Sequence, residues 1–364
     1  MEKLRYPEVH KVNQVDNYHG TQVSDPYRWL EDSNSAETRE WIKSQNHLTQ
    51  SYLMDIPDRE KIKKRLEELW DFPRAYAPLK VNGKYFQLRN TGLQNQNVMY
   101  VMDSLQGEKS VLLDPNLFSE DGTEALTYSK TSNDGNLLAY ATSSSGSDWQ
   151  IWRVRNVSTM EDLPDRIEWT KFSNVTWNPD STGFFYAGYD QPEDTQTYEA
   201  INQNQKVMYH KLGTDQSQDA VIYQRPDQPE WGFDPRITDD GQYLILEISK
   251  GTDQRRRIFF RKLNSNDAFT ELIPDMESTY KYVGNDGELF YFYTNYLAPN
   301  GKLISIDINN PGKSKWKSIL PEGEDAIETI KYCSNQFVVI YLHDAHHRIE
   351  RFDIDGKNLG NIEL

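Results

Sequence analysis

One pattern recurs along most of this 364-residue chain and limits what it can fold into: a polar turn, then a short apolar and aromatic run. Asn82-Gly83 precedes Lys84-Tyr85-Phe86, and Asp134-Gly135 precedes Leu137-Leu138-Ala139-Tyr140. Asp180-Ser181-Thr182-Gly183 leads into Phe184-Phe185-Tyr186, and Asp240-Gly241 into Tyr243-Leu244-Ile245-Leu246. Asp286-Gly287 comes before Leu289-Phe290-Tyr291, and a sixth copy without glycine places Asn335-Gln336 before Phe337-Val338-Val339-Ile340. Asn-Gly and Asp-Gly readily take the positive φ that tight hairpins require, so each copy predicts a β-hairpin.

Successive turns are 52, 46, 60, 46 and 49 residues apart. A four-stranded propeller blade occupies about 40–50 residues, so the spacing predicts one blade per copy. Second strand signals accompany several copies, as in Val98–Val101, Trp149–Trp152 and Leu303–Ile306. A blade cannot bury both of its faces alone, and radial stacking of neighbours solves this. A sandwich of unrelated strands is the alternative, and the regular period disfavours it. The longest spacing contains the polar stretch Gln191 to Lys206, read as a loop. The 22 Tyr, 14 Phe and 9 Trp suit β-structure.

Up to about Asp71 the texture is different. Ser33 or Ser35 is placed to cap a helix in which Trp41, Ile42, Gln45, Leu48 and Tyr52 fall at helical spacing. A second helix is expected from Asp58 to about Leu69, opening on an acidic residue that suits the helix dipole. The expected organisation is a helical segment, 1–71, followed by a β-propeller, 72–364.

The net charge of −16 argues against nucleic-acid binding, which needs a basic face. The basic run Arg255-Arg256-Arg257 reads as a step from loop to strand. No run of about 18 apolar residues exists, and no membrane span is expected. A single cysteine, Cys333, excludes an internal disulfide and fits a reducing, cytoplasmic location. Beside an apolar strand, Cys333 reads as a small buried hydrophobe. No cofactor is implied. No Gly-x-Ser-x-Gly string is present, and the Gly312-Lys313-Ser314 string lacks the upstream glycine of a phosphate loop. His343-Asp344-Ala345-His346-His347 is the one dense set of candidate metal ligands; it reads as a polar turn, and no metal site is expected. Ser119-Glu120-Asp121-Gly122 likewise reads as a turn.

Tyr18-His19-Gly20 and Asp25-Pro26-Tyr27-Arg28-Trp29-Leu30-Glu31-Asp32 resemble the opening signature of the prolyl oligopeptidase family of serine peptidases. Further matches run in order, among them Leu113-Asp114-Pro115-Asn116, Ser145-Gly146-Ser147-Asp148-Trp149, Lys171-Phe172-Ser173 and Tyr341-Leu342-His343-Asp344. The resemblance covers essentially the whole chain. It implies a short N-terminal segment that belongs with an α/β-hydrolase domain, then most of a seven-bladed propeller that covers the active site and admits short peptides. In those terms the chain holds six blades, while blade seven and the Ser/Asp/His-bearing hydrolase domain are absent.

The resemblance implies cleavage of short peptides after proline, with no catalytic residue in this chain and no peptidase activity of the chain alone. It also implies cavity residues. Phe172 matches an aromatic that reaches the substrate. Ser249 falls where better-known members have an arginine, with Lys250 next to it as a possible positive charge. Thr252 stands at a cysteine position, and Gly232 at a methionine position. The alternatives are a non-catalytic propeller that binds peptides or a protein partner, and a chain that associates with a separately encoded hydrolase half.

Overall fold

A computed structural model describes residues 4–192 and 202–363. The chain separates into two compact units. One runs to Arg74 and takes in Thr91–Leu93; the other comprises Ala75–Asn90 and continues from Gln94.

The first unit carries a hairpin, Val15–Tyr18 with Thr21–Ser24, and two helices, α1 (Ala36–Met54) and α2 (Arg59–Trp70). Ser35 is the N-cap of α1, its Oγ accepting from the Thr38 backbone N–H at 3.1 Å. Thr38 is buried and donates through Oγ1 to the Trp29 carbonyl, tying the helix start to the signature segment. Within that segment Arg28 bonds Asp25 at 2.7 Å and also pairs with Asp16. Helix α2 shows Ile62, Leu66, Leu69 and Trp70 each at least half exposed, an apolar stripe at i, i+4 and i+7. Among the described residues, no helix is long and apolar enough to cross a membrane.

The second unit is a six-bladed β-propeller, as the turn period predicts. Blade one is a five-stranded sheet built on the hairpin Leu79–Val81/Lys84–Asn90, continued by Val98–Met102 and Ser110–Leu113. Blades two to six each have four antiparallel strands paired in sequence order. In blades two to six the recurring turn joins the first and second strands, and in blade one it joins Leu79–Val81 to Lys84–Asn90. Asn82 and Gly83 have φ of 42° and 85°, and in the copy lacking glycine Ser334 and Asn335 supply 49° and 57°. The turn geometry therefore survives the loss of glycine because asparagine tolerates the left-handed region.

Successive blades bury one another. Ala139, Trp152 and Ile167 of blade two pack with Trp177, Phe184 and Tyr186 of blade three. Tyr243, Ile245 and Phe260 of blade four meet Phe290, Phe292 and Ile304 of blade five. This explains the continuous apolar runs. In the second strand of blade four, Leu246 and Ile248 face blade three while Tyr243 and Ile245 face blade five. Both faces of the strand are buried, so no polar alternation survives.

Two local readings sharpen. His343-Asp344-Ala345-His346 forms the tight turn between the second and third strands of blade six, with φ of 42° and 62° at Asp344 and Ala345. Cys333, by contrast, is exposed rather than buried. It is the last residue of its strand, directly before the Ser334-Asn335 turn, where the blade leaves the packed core.

Candidate functional site

A cavity of about 1160 Å³ opens within the propeller, lined by residues of blades three to six. Phe172, Gly232, Ser249, Lys250 and Thr252 all line it. The loop reading of Gln191 to Lys206 falls partly on residues 193–201, which lie outside the described residues; Asn202, Gln203 and Gln205 line the cavity.

Phe172 follows the last strand of blade two, Asp162–Thr170. It is 61% exposed, so it is not a packing residue of the blades. Its φ is 53°, an uncommon conformation for an aromatic residue. Its neighbours are buried and pinned. The Thr170 hydroxyl donates to the Gln150 carbonyl at 3.0 Å, and the Ser173 Oγ accepts from the Ala187 N–H at 2.9 Å. Lys171 is buried with its ammonium 3.9 Å above the Trp149 ring.

Gly232 and Ser249 are register partners on adjacent strands of blade four. A Cβ on Gly232 would lie 2.8 Å from Ser249 Oγ, so the glycine is what leaves that hydroxyl room. Ser249 Oγ donates to the Gly232 carbonyl at 3.4 Å. Lys250 pairs with Glu230 at 2.7 Å, and this neutralises the charge it brings to the rim. Thr252 sits in the turn that follows the strand Tyr243–Lys250.

Sequence reasoning missed the charged pair in the cavity wall. Glu247 is buried, accepts from the Tyr282 N–H at 2.9 Å, and lies 3.2 Å from Arg236 Nε. Burial pushes its carboxyl above the usual carboxylate range, and the Arg236 charge pulls the other way. A lone glutamate inside the apolar run Tyr243–Ile248 is the signal that marks it. Gln205, also missed, accepts from the Phe233 N–H at 2.6 Å and donates to the Lys171 carbonyl at 3.5 Å, bridging blades three and four.

The described lining of the cavity contains neither histidine nor cysteine. His210 lies in the blade core, bonded to Asp219 and Asp165. No group of three or more His, Cys, Asp or Glu able to hold a metal ion occurs among the described residues.

A family model described as prolyl oligopeptidase, N-terminal beta-propeller domain, matches residues 7–364. A prolyl endopeptidase of Elizabethkingia meningoseptica is 36% identical over 362 residues, covering 99% of this chain and 51% of that protein. Prolyl oligopeptidase A of Amanita bisporigera is 32% identical over 393 residues, covering 97% of this chain and 51% of its own length. The chain thus spans about half the length of the curated relatives it matches. Among solved structures, a variant of prolyl oligopeptidase B from Galerina marginata, bound to a 25mer macrocyclization substrate, superposes with a TM-score of 0.85 at 29% identity. That match covers 98% of this chain and 54% of the other.

Proposed function

Because the chain belongs to the prolyl oligopeptidase family, we propose that it is the propeller-bearing part of a serine endopeptidase that cleaves short peptides after proline. The propeller acts as lid and size filter, and the chemistry comes from a hydrolase domain that packs on the first unit. The observation that carries this reading is the cavity of about 1160 Å³ with Phe172 standing exposed in its wall. Its volume slightly exceeds that of ordinary small-molecule pockets, about 300–1,000 Å³, and suits a short peptide. The half-exposed stripe Ile62, Leu66 and Leu69 on α2 supports the second part, since contiguous apolar surface marks an interaction face.

The catalytic step in this reading is acyl transfer by a Ser/His/Asp triad with an oxyanion hole, supplied by the hydrolase domain. This chain contributes binding, orientation and exclusion of large substrates.

Two measurements test it. Calorimetric titration of the chain with short peptides should show binding that weakens when the proline is replaced by alanine and when Phe172→Ala is introduced. A fluorogenic Gly-Pro substrate should be turned over only when the hydrolase domain is supplied, in a reaction blocked by a serine-directed inhibitor. Turnover by the purified chain alone, or equal affinity for proline and alanine peptides, overturns the reading.

A further inference from the structure

Lys171 is an expensive residue to bury. An ammonium taken out of water needs compensation, and among the described residues the Lys171 ammonium meets an amide oxygen and an aromatic ring rather than a carboxylate. Burial pushes its pKa down, with the charge of Asp148 acting the other way. An apolar side chain of similar length would fill the same space without that cost. The cation therefore contributes something other than packing.

What it contacts suggests what that is. The ammonium lies 3.9 Å from the centre of the Trp149 ring, a residue that precedes the third strand of blade two. It also donates to Asn202 Oδ1 at 3.2 Å, ahead of the second pair of strands in blade three. The Lys171 carbonyl accepts from Gln205 Nε2 at 3.5 Å, while Gln205 Oε1 holds the Phe233 N–H of blade four at 2.6 Å. Residue 171 is thus held directly from blades two and three, and Gln205 links it onward to blade four. The next residue, Phe172, carries a left-handed φ of 53° and an exposed ring. For an L-residue that conformation costs energy and persists only where its surroundings over-determine it.

We propose that Lys171 is a positioning residue: its buried ammonium, gripped by Trp149 and Asn202, fixes the backbone turn that presents the Phe172 ring to the cavity. The proposal rests on reading this cavity as a peptide site. Without the cation the pins at residue 171 loosen, and Phe172 relaxes to the extended region with its ring withdrawn.

The test uses the whole chain with 4-fluorophenylalanine at position 172, observed by ¹⁹F NMR, alongside titration with a short Gly-Pro peptide. Lys171→Met keeps the stem and removes the charge. It should shift and broaden the fluorine signal and weaken peptide binding about thirtyfold, the size of one desolvated cation–π contact. Lys171→Arg should preserve both. Lys171→Met combined with Phe172→Ala should bind no worse than Phe172→Ala alone, a non-additivity that a merely structural role would not produce.

Should Lys171→Met fail to fold, the unsubstituted chain decides. Its fluorine signal should move with a midpoint below that of an ordinary lysine; Asp148 and, across the Trp149 ring, Tyr189 are the other titratable groups nearby. Tyr189 is pushed by burial to about 12, clear of that window. An unchanged fluorine signal in Lys171→Met, a flat titration, or additive losses overturn the proposal. Absence of peptide binding by the unsubstituted chain would sink the peptide-site reading alone, because the fluorine arm still reports on the position of Phe172.

Discussion

Replacing His210 should destabilise the propeller more than most single core changes, and in a way that depends on pH. His210 is fully buried. Its Nδ1 lies 2.8 Å from Asp219 Oδ1 and its Nε2 lies 3.0 Å from Asp165 Oδ1. Ionised carboxylates only accept, so beside them both ring nitrogens donate, and below its folded pKa the ring is an imidazolium. Asp165 lies on the last strand of blade two and Asp219 just before the last strand of blade three, so the cation ties the two blades together. The Tyr186 hydroxyl donates to Asp219 Oδ2 at 2.7 Å, and the Gly213 N–H to Asp165 Oδ1 at 2.6 Å.

His210→Leu leaves two buried carboxylates without their cation, which costs about 3–5 kcal/mol. Replacing all three groups with apolar residues of similar size should recover most of that loss, since a fully apolar substitute for a buried ionic cluster is often neutral or stabilising. Burial alone would lower the imidazole pKa, but the hydrogen bonds and charges of Asp219 and Asp165 outweigh it, and the folded pKa is raised above 6.5. A raised pKa contributes stability that is fully present below the unfolded value. That stability is lost as pH rises from about 6.5 through the folded pKa, at up to about 1.4 kcal/mol per pH unit. Urea unfolding followed by tryptophan fluorescence at pH 6 and at pH 9 measures both effects. A His210→Leu midpoint matching the unsubstituted chain to within about 0.5 kcal/mol would refute the reasoning. So would an unsubstituted chain whose stability, relative to His210→Leu, does not decline over that range.

Two further predictions concern the blades themselves. Trp152→Ala removes a fully buried ring from the core between blades two and three and should cost about 3–5 kcal/mol in the same unfolding assay. Ala345→Gly should stabilise the chain by about 0.5–1 kcal/mol, read as a higher melting temperature, because Ala345 holds a φ of 62° in a tight turn where glycine carries no Cβ penalty.

The sequence alone carried the architecture because propeller blades are built from local instructions. A turn at Asn82-Gly83 or Asp240-Gly241 acts through the φ preferences of two residues, and the apolar run that follows needs only its own side chains to mark a buried strand. A cap at Ser33 or Ser35, of which the helix uses Ser35, and the polar turn at Asp344-Ala345 were legible for the same reason. Phe172, Gly232, Ser249, Lys250 and Thr252 came to notice through family resemblance, and nothing in their local pattern marks them as neighbours of one cavity.

Tertiary structure decided what each charge is for. Glu247 in an apolar strand is only an oddity until Arg236 of the adjacent strand and the Tyr282 N–H of the next blade meet it. Lys171 reads as any lysine until Trp149 and Asn202 enclose it, and His210 becomes a cation only between aspartates 45 residues upstream and 9 residues downstream. Backbone preferences reach a few residues along the chain. A buried charge is fixed by partners that the stacking of blades brings together, and sequence spacing does not encode those distances.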